Sequence, residues 1–511
     1  MNTATPTSPP PFSIFVWNDK NENLAQWCST VREAGFETHA TEDKDIASVV
    51  EKFKVAFPNQ VLLDLLDDAK GGTHGYDIAA AIRKVDALVP IIIVTRDPSR
   101  LFGSDYRLED LDVLAYFEAT IMQRATAFRE IAVRRCINLW HLLLPDHLLA
   151  RHASRCLHQR GASADLQEAV GALDQEICLL PLSGSIDVWH QKFCDKIQDL
   201  FDALRLVRLK SVFGDLVKLF EVADPFYMAA GKSRRHLSHN VQVFLLGFVI
   251  LSDHEPVRQA AIASLAPHLL DGTQEELFWT AVALWAGVAL THDVAYLSQY
   301  FASVSQSLAD LSKEFQTAVR ARTPLPPWSW PNIHHGAVGA RLWLDRANIA
   351  DTPEMERTFA KMIADGIARH DSEISDADLA AVNLPPKLKK VPLDAEHWLQ
   401  FLAVLADELQ NWQRERDDRP KDFRIFALDN LVMQPGTGAL STLWLTFAAQ
   451  DHPRHLRERQ GTGGSLAIEA GFKIAKKKLE ENLDSKGTLV IKQLAVVEGH
   501  EQMLKPVTIH L

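Results

Sequence analysis

"LWAGVALTHDVAYLSQYF", residues 284–301, places the adjacent pair His292 and Asp293 in the middle of a largely apolar segment, among Leu, Val, Ala and Trp. A helix apolar on all sides is a buried helix. Burying an imidazole and a carboxylate there is costly unless both find partners, and a metal ion is one of the few partners that satisfies both. The centre of the chain is therefore expected to be a helical bundle, with further ligands on the neighbouring helices.

With 511 residues and 47% apolar content, the chain can bury sizeable cores, and its length suggests two to four domains. A formal net charge of −12 and a pI near 5.9 argue against holding nucleic acid by general electrostatics, so direct DNA binding is not expected. The five cysteines (Cys28, Cys136, Cys156, Cys178 and Cys194) show no CxxC pairing, which fits reduced thiols better than a disulfide framework. The start, "MNTATPTSPPPF", has neither a basic run nor an apolar stretch of signal-peptide type; residues 1–11 read as a disordered tail. "FLLGFVIL" (244–251) and "LFWTAVALWAGVAL" (277–290) are too short to span a bilayer. A soluble, cytoplasmic protein without a membrane partner is the expectation.

Toward the N-terminus, "FSIFVW" (12–17), "QVLLDLL" (60–66), "VPIIIVT" (89–95) and "DVLAYF" (112–117) are continuous apolar runs of strand length. Amphipathic helical stretches separate them, which predicts an α/β, doubly wound, flavodoxin-like domain over 12–125. In such sheets the ligand site lies at the carboxyl ends of the strands, where Asn18, Asp19, Asp64 and Thr95 fall. The region resembles the receiver domain of bacterial response regulators. The resemblance implies that Asp64 is the phosphoacceptor, that Thr95 is the switch hydroxyl, and that Asp19, with Asn18 in place of a second acid, holds Mg²⁺. It also implies a sensor kinase or another signalling partner. One element departs from the family: Glu118 and Ala119 stand near the position where a lysine follows the fifth strand. The region therefore reads either as a working phospho-receiver or as a receiver-like docking module.

Residues 126–224 read as a helical connector whose apolar stripe suits packing within the chain or across a homodimer. Beyond it, polar ligand types recur inside helical patterns over 225–415. They are His236 and His239 in "RRHLSHNVQV", the His292–Asp293 pair, His334 and His335 in "PNIHHGAVGA", His370 and Asp371 in "IARHDSE", and Asp407 in "LADEL". The order H, HD, H, H, D over five successive helices resembles the HD superfamily of metal-dependent phosphohydrolases. That resemblance implies an all-α bundle in which His239, His292, Asp293 and Asp407 hold a first divalent ion. His335 and His370 would add a second, with Asp293 bridging and the His292–Asp293 pair at the centre of catalysis. Imidazole and carboxylate ligands suit Mn, Fe, Mg or Zn, and bundle helices can aim them at one point.

His239 is favoured over His236 because "HNVQV" fits the family pattern, and His335 over His334 because Gly336 and the small residues after it let that helix pack closely. Asp371 reads either as an acid orienting a ligand histidine or as a helix cap. Lys232, Arg234 and Arg235 stand where basic groups could hold substrate phosphates, or form a solvated turn. Trp328 and Trp330, in a proline-stiffened stretch, could stack on a base or simply pack.

Residues 416–511 alternate strand-like runs, "DFRIFAL", "STLWLTFAA", "GTLVIKQLAVVE" and "KPVTIH", with one helix, predicting a small α+β domain. The expected function is hydrolysis of a nucleotide or cyclic (di)nucleotide phosphoester under the influence of the receiver-like domain. The chain departs from the HD-GYP class of cyclic di-GMP phosphodiesterases: Tyr296, a candidate substrate contact, stands where a lysine usually follows, and the "DGxGYP" stretch is missing. The alternatives are a signalling or scaffolding module that binds a nucleotide without turnover, and a protein phosphatase.

Overall fold

The computed structural model describes residues 12–64, 74–86, 89–95, 115–136, 147–160, 186–220, 236–295, 334–347, 351–370, 374–410, 423–435, 441–451, 467–484, 489–497 and 500–503. The N-terminal part alternates strand and helix. Its elements are β1 (Ser13–Trp17), α1 (Asn21–Glu33), β2 (Glu37–Thr41), α2 (Ile46–Ala56), β3 (Gln60–Leu63), α3 (His74–Val85), β4 (Ile91–Thr95) and β5 (Ala115–Glu118). All pairings are parallel, in the order β2-β1-β3-β4-β5. Because side chains alternate across a strand, one residue set faces each way. Ile14, Val16, Leu62, Ile92 and Val94 pack on α1 and on Met122 and Phe128. Phe15, Trp17, Val61, Leu63, Ile91 and Ile93 pack on α2 and α3. Covering on both faces explains the unbroken apolar runs of the sequence, and makes the sheet doubly wound.

The polar pentapeptide ETHAT forms β2, a strand that the apolar runs do not announce. It is an edge strand with Glu37 and Ala40 exposed, so little burial selects its residues. At the carboxyl ends of β1 and β3, where the strand order reverses, the Asn18 amide Nδ2 donates to Asp64 Oδ2 at 3.1 Å.

The middle of the chain is helical: α4 (His147–Gln159), α5 (Ile186–Ala203), α6 (Val207–Val217), α7 (His236–Asp253), α8 (Glu255–Leu265), α9 (Gln274–Ala289), α10 (His335–Ala347), α11 (Glu354–Arg369), α12 (Asp376–Ala381) and α13 (Trp398–Leu409). A reciprocal cap between Thr273 and Glu276 starts α9, whose residues Leu277–Ala289 are all buried. It is surrounded by α7, α8, α11 and α13. Its Trp285 indole donates to Phe244 O at 2.9 Å and lies against Gly247, where a Cβ would overlap the ring. The helix ends at Ala289, so His292 and Asp293 sit in the turns after it rather than in its middle. Helix α8 also intervenes between the first two ligand segments, which are therefore not on successive helices.

The last part forms a sheet of order β6-β7-β8-β9 from β6 (Phe423–Pro435), β7 (Ser441–Asp451), β8 (Leu489–Val497) and β9 (His500–Met503). Helix α14 (Ala467–Asn482) joins the parallel pair β7 and β8. "KPVTIH" and Cys178 lie outside the described residues, whereas the polar run HEQM is a strand. Leu431, Leu443, Leu479 and Ile491 share one continuous core with α4–α13. Helix α4 is held on two sides. Arg151 Nε donates to Asp86 Oδ2 at 2.5 Å and its guanidinium lies over Phe57, while Arg155 pairs with Asp253 at the end of α7.

Among the described residues, no helix is long and apolar enough to cross a membrane. Cys28, Cys136, Cys156 and Cys194 are free and buried, and burial raises all four thiol pKa values, that of Cys136 to about 11. These are unreactive, space-filling thiols.

Two predictions follow from this packing. Gly247→Ala should destabilise the protein by about 1–3 kcal/mol in urea unfolding, because Trp285 cannot retreat without losing its hydrogen bond. His254, between α7 and α8, has both ring nitrogens buried without a hydrogen-bond partner, and burial, then Arg258, hold its pKa down to about 4. The unfolded chain takes up that proton near pH 6.5, so the fold's preference for neutral His254 is fully present above about pH 6.5 and is lost as pH falls toward about 4. His254→Leu should flatten the decline in melting temperature between about pH 7 and 5; an unchanged slope would reject the assignment.

Candidate metal centre

Five segments converge where α9 ends. His239 lies in the first turn of α7 and His335 is the first residue of α10; His370 caps α11 and Asp407 is in the last turn of α13. The turn carrying His292 and Asp293 is pinned from three sides. Asn240 Nδ2 donates to Leu290 O at 3.1 Å, Thr291 Oγ1 donates to Gly287 O at 2.6 Å, and Trp343 Nε1 of α10 donates to Thr291 Oγ1 at 2.8 Å. Gly336 lets α10 approach the end of α11: a Cβ there would stand 3.0 Å from the carbonyl oxygens of both Ile367 and Ala368. This close approach puts His335 beside His370.

The resulting spacing is that of a coordination shell. His239 Nε2 lies 2.9 Å from Asp407 Oδ1 and 4.0 Å from Asp293 Oδ2. His292 Nε2 lies 3.6 Å from Asp293 Oδ1 and 3.9 Å from Asp407 Oδ1. On the other side, Asp293 Oδ1 is 3.5 Å from His335 Nε2 and 3.9 Å from His370 Nε2, and those two nitrogens are 3.2 Å apart. Two ligand atoms each about 2.0–2.2 Å from one ion, at ordinary coordination angles, are themselves about 3–4 Å apart. Three overlapping groups could hold an ion: His239, His292 and Asp293; His292, His370 and Asp407; Asp293, His335 and His370.

Protonation favours metal ligation. His292 Nδ1 donates to Ala289 O at 2.8 Å and His370 Nδ1 to Ile367 O at 2.6 Å, each an oxygen that can only accept. Their single neutral-state protons are thereby placed on Nδ1, and their Nε2 lone pairs face the cluster. His292 Nε2 is buried with no hydrogen-bond partner. Burial is the largest cause lowering the His292 pKa and brings that of His335 down to about 4, with the neighbouring His370 acting in the same direction and Asp293 opposing it. Neutral imidazoles are what a divalent ion requires. The buried Asp293 and half-buried Asp407 face them with two carboxylates, a charge that one divalent cation offsets.

All six residues expected as ligands, His239, His292, Asp293, His335, His370 and Asp407, are thus brought together. His334 belongs to none of the three groups: its Nδ1 accepts from Gly336 N at 3.2 Å, and its ring stacks obliquely on His335. Thr95 is the last residue of β4, Asp19 and Asp64 follow the ends of β1 and β3, and Glu118 is the exposed last residue of β5. Lys232, Arg234, Arg235, Tyr296, Trp328, Trp330, Asp371 and the side chain of His236 lie outside the described residues. A separate cleft of about 820 Å³, bordered by Arg341, Arg357, Lys361 and Asp365, contains none of the six.

Two site residues are new. Gln410 Oε1 lies 2.6 Å from His239 Nδ1, and Gln410 Nε2 donates to Gln242 Oε1. Their signal in the sequence is spacing: Gln242 is three residues after His239 and Gln410 three after Asp407, so each shares a helix face with a ligand. A scan against protein-family models and a search of curated proteins found no match for the chain.

A thermal melt tests the centre. Mn²⁺ at about a hundred times its Kd should stabilise the metal-free protein by about 2.7 kcal/mol, and Asp293→Asn should lose that response. An equal response in Asp293→Asn would exclude this cluster as the binding site.

Proposed function

We propose that the chain is a metal-dependent phosphohydrolase of the HD type, acting on a nucleotide or cyclic nucleotide phosphoester. The observation that carries the reading is the convergence of four histidines and two aspartates, from five segments spread over residues 239–407, at ligand–ligand distances of 2.9–4.0 Å. His239, His292, Asp293 and Asp407 would hold one divalent ion, and His335 and His370, with the second side of Asp293, another. The Asp293 carboxylate lies between the two groups: Oδ2 faces His239, while Oδ1 faces His335 and His370 and also His292. When bound, divalent ions polarise a phosphoryl oxygen and lower the pKa of an attacking water. The protein's part is to fix ligand direction, through Ala289 O and Ile367 O, and to keep the imidazoles of His292 and His335 neutral by burial. In the hydrolysis, a bond forms from the water oxygen to phosphorus, the ester P–O bond breaks, and the leaving oxygen takes up a proton.

The N-terminal sheet would serve as a receiver-like regulatory or docking unit with Asp64 as its acceptor. Support comes from the 2-1-3-4-5 strand order and from the Asn18–Asp64 hydrogen bond at the point where that order reverses.

The test is a mass-spectrometric screen of nucleotides, cyclic mono- and dinucleotides and nucleoside triphosphates with Mn²⁺-loaded protein. One substrate class should yield product, and Asp293→Ala should slow it by at least about a thousandfold, the loss of about 4 kcal/mol of transition-state stabilisation. Unchanged turnover in Asp293→Ala would sink the proposal. Metal binding without any product would favour a nucleotide-binding module.

A further inference from the structure

We infer that Gln410, oriented by Gln242, is the positioning residue that sets the metal affinity of His239; the inference rests on the metal-centre reading above. The Nδ1 partners of His239, His292 and His370 differ in kind. For His292 and His370 it is a backbone carbonyl three residues earlier, fixed by the turn itself. For His239 it is the side chain of the residue that caps another helix at its C-terminal end: Gln410 Oε1, at 2.6 Å. That helix, α13, also carries Asp407, whose Oδ1 is 2.9 Å from the opposite nitrogen of the same ring. The two ring nitrogens therefore face residues one helical turn apart, Gln410 at Nδ1 and Asp407 at Nε2.

Gln410 Nε2 donates to Gln242 Oε1, which leaves Gln410 Oε1 to accept from His239 Nδ1–H and places the His239 Nε2 lone pair toward Asp293 and Asp407. Gln242 and Gln410 are each 1% exposed and His239 is 4% exposed, so water cannot readily replace either contact. A turned amide would instead present its N–H₂ to Nδ1 and favour a proton on Nε2, the nitrogen a metal needs. Gln242 opposes that turn as long as its own oxygen points at Gln410.

An amide is also a weaker acceptor than a carboxylate, the partner that commonly orients a metal-binding imidazole. Glutamine holds the ring in the ligating tautomer without adding a third negative charge to a site that already has Asp293 and Asp407. A carboxylate at position 410 should make His239 a more basic, tighter ligand.

The test is Co²⁺ titration of the full-length, metal-free protein at fixed pH, followed by the visible absorption of the bound ion. Gln410→Leu should weaken Co²⁺ binding about 10- to 100-fold, and Gln410→Glu should bind at least as tightly as the wild type. Gln242→Met, which keeps Gln410 but removes its orienting partner, should weaken binding about 3- to 10-fold and serves if Gln410→Leu does not fold. The opposite signs of the Leu and Glu substitutions separate positioning from packing, since a packing role predicts that a buried charge also harms the site. Wild-type affinity in the Leu variant, or equal losses in the Leu and Glu variants, would overturn the inference while leaving the metal centre intact. Absence of Co²⁺ binding by the wild type, or undiminished binding by Asp293→Asn, would overturn both.

Discussion

A carboxylate buried among imidazoles just past a helix that is buried from Leu277 to Ala289 is the constraint around which the helical part is organised. Asp293 cannot be solvated where it lies, and its reach to His239, His292, His335 and His370 gives every neighbouring helix end a fixed place. Gly336 and Gly247 allow the close approaches this requires, one beside the ligands and one beneath Trp285. The hydrogen bonds of Asn240, Thr291 and Trp343 then hold the turn in which the pair sits. The apolar core supplies the stability, and the polar knot within it specifies how the helices meet.

The N-terminal sheet touches this assembly through α4. Arg151 and Asp86 are both buried and joined, Arg151 and Arg155 both lie over the Phe57 ring, and Arg155 continues to Asp253 on α7, the helix that carries His239. Buried charge pairs of this kind contribute modestly to stability, yet are severely disturbed when one partner is lost. The contact therefore fixes the sheet against one particular end of the bundle. Helix α14 acts similarly at the other end, where Lys478 pairs at 2.8 Å with Glu408, the residue after Asp407.

Much of the site was legible because its chemistry conflicts with its surroundings. Imidazoles and carboxylates inside apolar helical patterns stand out, and all six ligand candidates could be named from the sequence. Gln242 and Gln410 were not, because a glutamine in a helix is unremarkable until its partner is known. Four strands of the N-terminal sheet were visible as apolar runs, whereas ETHAT and HEQM are polar in sequence, and ETHAT is an edge strand whose residues little burial selects. The position of His292 and Asp293 in a turn was also hidden, since the apolar pattern continues past Ala289 although the helix does not. The sharing of one core by α4–α13 and the last sheet depends on contacts between residues far apart in sequence, which periodicity cannot reveal.

The central claim is that these six side chains form one metal centre. The most direct measurement is a crystal structure of the Mn²⁺- or Zn²⁺-loaded protein with data collected at the absorption edge of the metal. Anomalous density is expected about 2.0–2.2 Å from His239 Nε2, His292 Nε2 and carboxylate oxygens of Asp293 and Asp407, with a second peak beside His335 and His370 when both ions are bound. Density elsewhere in the protein, or a fully loaded crystal with none at the Asp293 carboxylate, would contradict it.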